Sequence, residues 1–203
     1  MKVVIATHNR HKVEEILDIL SGLEIELLSL DSFPEIGEIV EDGDTLEDNA
    51  RKKARTVYDA TGILSLADDT GLEVEALGGR PGVYSARYSG EYATYEENNL
   101  KLLGELKGVP PERRNAKFRC VISIIGNGID EIAAGEVPGR IIEHLRGKNG
   151  FGYDPLFVAD GYDLTYAEMD SETKNSLSHR ARALEKAKTI LTRLSRGKQS
   201  PEN

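Results

Sequence analysis

Two adjacent carboxylates and several groups of cationic side chains are the residues of this chain best suited to chemistry. Asp68 and Asp69, in "ADDTG" at 67–71, follow directly on an apolar run. Carboxylates delivered to the carboxyl end of a buried strand can hold a hard divalent cation or polarise water in a cleft. Side chains alternate along a strand, so the two should face opposite ways if the strand persists. This reading gives Asp69 the chemistry and Asp68 a supporting role. The alternative is that one of them merely caps the following turn.

The segment "ATHNRHK" at 6–12 places Thr7, His8, Asn9, Arg10, His11 and Lys12 between an apolar strand and a helical pattern. Such a junction turns backbone N–H groups and the positive end of the helix dipole outward, which suits phosphate. It lacks the glycines of a Walker loop. Lys12 would act as a point charge, with Thr7 and Asn9 as neutral donors. A metal site on His8 and His11, without an obvious third ligand, and a plain solvated turn are the alternatives. In "EDGDTLEDNARKKA" (41–54), Glu41, Asp42 or Asp44 could add a hard oxygen ligand for magnesium, which takes few protein carboxylates and keeps several waters. Alone, the run would be a solvated loop. Lys53, one turn after Asn49, lies on the helical stripe nearest the buried face and can reach a cleft; Lys52 and Arg55 belong to the polar face.

Later, "NGFGYDP" (149–155) joins glycines to Phe151, Tyr153 and Asp154. A ring offers a flat base a stacking partner, and a carboxylate can accept hydrogen bonds from its edge. The alternative is a tight turn with Phe151 and Tyr153 in the core. In "KNSLSHRARA" (174–183), His179 and Arg180 fall in the first turn of the last helix, behind Ser178 as a cap. Cations there oppose the helix dipole, and such local conflict is commoner at sites than on plain surface.

The elements that must position these residues are read from periodicity. Strands are expected at 2–6, 23–30 and 62–67, and a glycine-rich irregular stretch from Asp68 to Gly90. Helices are expected from Val13 to Leu20, with Val13, Ile16, Leu17 and Leu20 recurring on one stripe, from the Thr45 cap to about Asp59, at 94–107 with Leu100, Leu103 and Leu106 inward, and from Ser178 to Leu194. "GNG" at 126–128 signals a hairpin. Alternating strands and helices followed by a hairpin predict an α/β fold about a mixed sheet. A single domain over 1–195 and a frayed tail over 196–203 complete the expectation.

Composition narrows the function classes. With 203 residues and 39% hydrophobic content the chain can bury a core without staples, and one cysteine, Cys120, excludes an intrachain disulfide framework and a multi-cysteine zinc site. That usage points to the cytoplasm. No apolar run is long enough to span a membrane. The net charge of −9 argues against a broad basic face for polymeric nucleic acid. A small polyphosphate remains compatible if basic groups converge and a divalent cation neutralises part of its charge.

Taken together and in order, "ATHNRHK", "EDGDTLEDNARKKA", "LADDTGLEVEALGGRPGVYSARYSG", "GFGYDPLF" and "KNSLSHRARAL" resemble the family of inosine/xanthosine triphosphate pyrophosphatases over nearly the whole chain. The resemblance implies a two-lobed α/β fold with a substrate cleft between the lobes and a homodimer. It implies magnesium-dependent hydrolysis of ITP, dITP and XTP to the monophosphate and pyrophosphate. By position, Thr7, His8, Asn9, Arg10, His11 and Lys12 would bind the triphosphate. Glu41 and Asp69 would hold Mg2+, with Asp69 as base and Lys53 assisting on the phosphates. Thr70, Phe151, Gly152, Tyr153, Asp154, Lys174, His179 and Arg180 would contact substrate, chiefly the base. His8 and His11 stand where many members have small residues, and Thr70 where serine is common. A pyrophosphatase for other modified nucleotides and a non-catalytic nucleotide-binding module are the rival readings.

Overall fold

A computed structural model describes residues 1–197. Strands β1 (Lys2–Ile5), β2 (Glu26–Ser29), β3 (Ser65–Val74), β4 (Pro81–Gly82), β5 (Asn115–Gly126), β6 (Ile129–Ile141) and β7 (Phe157–Ala159) form a mixed sheet. Its order is β2-β1-β3-β5-β6-β7, with β4 paired to β3. Helices α1 (Arg10–Ile19), α2 (Leu46–Thr61), α3 (Tyr95–Glu105), α4 (Ser171–Leu177) and α5 (His179–Gly197) accompany it. The expected α/β class with a mixed sheet is therefore what the chain adopts.

The register at the amino-terminal end matters most for function. β1 runs parallel to β2 on one side and to β3 on the other, pairing Val4 with Ser65 and Ile5 with Leu66. The Ala6 N–H continues the ladder to the Leu66 carbonyl at 2.7 Å. In a parallel pair both strands end on the same side. The segments that follow, 6–12 after β1 and 67–69 in β3, consequently lie next to each other.

The chain divides into two compact units. The first comprises 1–69, 120–135 and the segment from Ala181 onward; the second comprises 70–119 and 136–180. In the first, one apolar cluster joins Val3, Ile5, Ile16, Leu66 and Ile122 to Leu184 and Leu191 of α5, and another joins Val4 and Ala67 to Ala54 and Val57 of α2. In the second, Leu72, Leu102, Leu106, Phe118, Phe157 and Tyr166 share one core.

Local signals explain the element ends. Thr45 caps α2 by accepting from the Asp48 N–H at 3.1 Å, and Gly62 closes that helix in the left-handed conformation at φ +66°. Asn127 and Gly128, both at positive φ, make the tight turn between the neighbouring strands β5 and β6. The expected tail from 196 overlaps the end of α5, and 198–203 lie outside the described residues.

Three expectations need correction. β3 does not stop at Ala67 but continues through Asp68, Asp69 and Thr70 to Val74. In α3, Leu100 is 55% exposed, and the inward face is Asn98, Asn99 and Leu102, with Leu106 buried just past the helix as expected. Leu17, expected on the buried stripe of α1, is likewise exposed. In α3 the two asparagines turn inward because their amides satisfy backbone groups there, as detailed below.

Candidate functional site

In the first unit, the junction after β1 is a self-closed turn. The Asn9 N–H donates to Thr7 Oγ1 at 3.2 Å, and Asn9, as the cap of α1, accepts from the Lys12 N–H at 3.3 Å. The oxygens of Thr7 and Asn9 thus build the turn. Lys12 reaches to 3.2 Å from Asp68, whose side chain is fully buried. His8, Arg10 and His11 are exposed, and His8 Nδ1 lies 3.9 Å from the exposed Asp31. His8 and His11 gather no third ligand: among the described residues no cluster of three His, Cys, Asp or Glu side chains is arranged for a metal.

Lys53 links the other carboxylate, Asp69, to Glu41. Lys53, buried on the inner stripe of α2, donates to Asp69 Oδ1 at 3.0 Å and to Glu41 Oε1 at 2.5 Å. The loop that carries Glu41 is pinned to the same helix. The Gly43 N–H donates to the fully buried Asn49 at 2.8 Å, and Lys52 pairs with Asp42. Gly43 has no room for a side chain, since a Cβ would lie 2.7 Å from that of Asp48. Asp68 and Asp69 engage different lysines, Lys12 and Lys53, as residues on opposite faces of one strand must.

The electrostatics follow from burial. Burial pushes the Asp69 carboxyl above the usual aspartate range, against the pull of Lys53 and Lys12. Burial also works against the charge of Lys53, yet Asp69, Glu41 and Asp68 hold its pKa above that of ordinary lysine. Lys53 therefore stays cationic, and Asp69 is a better proton acceptor than a surface aspartate. Two carboxylate oxygens already face a single ammonium, and this donor set fits a hard cation such as Mg2+.

In the second unit, the loop 150–154 is tied at several points. Asp154 Oδ2 accepts from the Phe151 N–H at 2.8 Å and from Lys174 at 2.6 Å. Gly150 makes room for that carboxylate, because a Cβ there would stand 2.1 Å from it. The Tyr153 hydroxyl donates to the Ser85 carbonyl at 2.9 Å, and Asn99 donates to the Gly152 carbonyl at 2.8 Å. Tyr153 is buried, whereas Phe151 is only partly so. Lys174 Nζ lies 4.8 Å and the Arg180 guanidinium 5.6 Å from the centre of the Phe151 ring.

Arg180 and His179 are almost wholly buried at the start of α5. Arg180 donates to Thr70 Oγ1 at 3.2 Å. The His179 ring lies flat on Phe118, 4.6 Å away and 11° from parallel, and Phe118 in turn stacks on Tyr166. The imidazole plane is thereby fixed from behind. Every second-unit candidate, from Thr70 through the 151–154 loop to Lys174, His179 and Arg180, belongs to one connected set of contacts. Periodicity and charge did not single out Asn99, Phe118 or Tyr166, and flagged Asn49 only as a marker of the stripe on which Lys53 lies.

A sequence profile of the Ham1 family matches residues 3–190. The chain is a member of the Ham1 family. A relative from Desulforamulus reducens, named dITP/XTP pyrophosphatase, is 51% identical over 195 residues, covering 96% of this chain and 97% of its own. The solved Ham1 protein of Coxiella burnetii superposes with a TM-score of 0.87 at 40% identity, over 95% of this chain and 99% of that one. A nucleoside-triphosphatase / dITP/XTP pyrophosphatase from Mycobacterium abscessus gives a TM-score of 0.75 at 41% identity, over 92% and 98%. This Ham1 chain is thus matched along nearly its full length by proteins of that name. A pyrophosphatase activity of this kind suggests a divalent-metal requirement.

Proposed function

We propose that this Ham1 protein hydrolyses non-canonical purine nucleoside triphosphates, ITP, dITP and XTP, to the nucleoside monophosphate and pyrophosphate. Such an activity keeps these nucleotides out of DNA and RNA. The observation that carries the reading is the Lys53 ammonium lying against both Glu41 and Asp69, beside the phosphate-suited turn of Thr7 to Lys12.

A triphosphate carries about four negative charges, so its hydrolysis depends on cations and placed donors more than on covalent chemistry from the protein. Lys12 and Lys53 supply fixed positive charge, and the backbone N–H groups at the start of α1 supply donors. Glu41 and Asp69 would hold Mg2+, which when bound supplies charge neutralisation on the phosphates. Asp69, its carboxylate held in place by Lys53, would take a proton from the attacking water. The bond that breaks is the anhydride joining the monophosphate to pyrophosphate.

Phe151 offers the base a ring face, and Lys174, His179 and Arg180 offer donors to its edge. Hypoxanthine and xanthine present an acceptor oxygen at position 6, where adenine presents an amino donor. A donor set facing that amino group leaves buried donors opposed, a mismatch of about 1 to 3 kcal/mol. It leaves the 2-amino group of guanine untouched. The protein would work as a homodimer in the cytoplasm, without membrane or polymeric nucleic acid as partner. No described helix is long and apolar enough to cross a membrane.

The test is pyrophosphate release from ITP, dITP, XTP, ATP, GTP and dUTP in the presence of Mg2+. A preference for the 6-oxo purines is expected, and its absence would overturn the reading. Asp69→Asn should keep nucleotide affinity while turnover collapses; unchanged turnover would remove Asp69 from the chemistry.

A further inference from the structure

We infer that Asn99 is a positioning residue for base selection, acting through the Phe151–Asp154 loop; this rests on the reading of that loop as the base contact. Asn99 is 3% exposed on the inward face of α3. Its Nδ2 donates at 2.8 Å both to the Tyr95 carbonyl, one turn back in its own helix, and to the Gly152 carbonyl. Two carbonyl oxygens at that distance fix the amide orientation, since the reverse one would set oxygen against oxygen. Its Oδ1 is buried and accepts no hydrogen bond from any described residue. That costs stability, and an apolar side chain would avoid it. The satisfied side of the amide is its donor side, and it ties Gly152 to α3.

The surroundings make Asn99 a link in a frame. The first turn of α3 is held by a reciprocal cap between Thr94 and Glu97. The neighbouring Asn98 donates to the Ala86 carbonyl and accepts from the Ser89 N–H. Ser85, in that same segment, accepts the Tyr153 hydroxyl at its carbonyl and receives the Leu72 N–H at its Oγ. Tyr95 also places its ring 6.0 Å from that of Phe151. The loop is thus gripped at Gly152 by Asn99, at Tyr153 by Ser85 and at Asp154 by Lys174. Of these, Asn99 alone grips the backbone between the stacking ring and the buried tyrosine. Gly152 is at φ +63°, a left-handed conformation that residues bearing a side chain rarely adopt.

The experiment compares wild type, Asn99→Asp, Asn99→Ala and Phe151→Ala by melting temperature and by separate kcat and KM for ITP and ATP. Asn99→Asp keeps the volume and sets a carboxylate against both carbonyls; Asn99→Ala removes the donor without adding charge, should the first variant fail to fold. The expected result is a fall of about five- to tenfold in the ITP-over-ATP ratio of kcat/KM, the effect of one lost hydrogen bond. The fall should come through a raised KM for ITP, with kcat within about twofold of wild type, since the groups around Asp69 are unaltered. A lowered melting temperature with an unchanged ratio would show a purely structural residue and overturn the inference. If Phe151→Ala shifts the ratio and neither Asn99 variant does, the inference about Asn99 alone fails. If Phe151→Ala also leaves it unchanged, the loop is not the base contact and both readings fall.

Discussion

Lys53→Met is the most informative perturbation of the acidic site, because it removes one charge and little volume. Lys53 and Asp69 side chains are each 6% exposed, while Glu41 is 28% exposed and can turn to water. Breaking a buried pair by deleting one partner costs about 3–5 kcal/mol. The lower end applies here, since Asp69 still feels Lys12. For a chain of this size about 3 kcal/mol corresponds to a fall of roughly 6–12 °C in the melting temperature. Magnesium should return much of it: a cation at a hundred times its dissociation constant stabilises by about 2.7 kcal/mol. The assay is thermal unfolding of wild type and Lys53→Met in EDTA and in Mg2+, with Lys52→Met as control. Lys52 pairs with Asp42 at the surface, and its variant should melt with wild type. A Lys53→Met protein as stable as wild type in EDTA would refute the counter-charge role. No gain from Mg2+ in either protein would refute the convergence of Glu41 and Asp69 on a cation.

Gly150→Ala forces a Cβ to within 2.1 Å of the Asp154 carboxylate at a positive φ, so it should detach Asp154 from the Phe151 N–H and raise KM for ITP more than it lowers kcat. Gly43→Ala meets Asp48 and Asn49 and should displace the Glu41 loop, weakening Mg2+ binding as read by calorimetry while nucleotide-free stability changes less. Asp170 caps α4 through the Thr173 N–H, which lowers its carboxyl below the ordinary 3.8. Its contribution is present above that value and lost as pH falls through the lowered one, so the melting difference between wild type and Asp170→Ala should be full at neutral pH and vanish in strong acid.

Where backbone chemistry announces itself, the fold was legible. Thr45 and the Asn127–Gly128 turn each mark an element end by local preference alone. The continuation of β3 through "DDT" was not, because strand-forming tendency is low for aspartate and the compensating lysines come from α1 and α2, far away in the chain. α4 was equally silent: it is short, with Leu177 as its one apolar core residue, and it is held by the Asp170 cap and by Lys174 on Asp154. Leu100 misled the reading of α3 because apolar periodicity cannot see an inward face occupied by asparagines bonded to carbonyls. At the candidate site, charged residues stood out individually, but the amides and rings that orient them, Asn49, Asn99 and Phe118, have no signature outside the folded chain.

If the 150–154 loop is the base contact proposed above, its internal closure bears on how fast a nucleotide can be captured. Asp154 accepts from Phe151 within its own loop, and Lys174 covers the same oxygen. Fixing the backbone of a residue costs about 1–2 kcal/mol of entropy, so ordering five of them on arrival would take roughly 5–10 kcal/mol from the binding free energy. Here folding has already met that cost. The encounter reduces to docking onto a shape that exists beforehand, and its rate is then governed by diffusion and by the attraction between ligand and protein charges rather than by a waiting time for the loop.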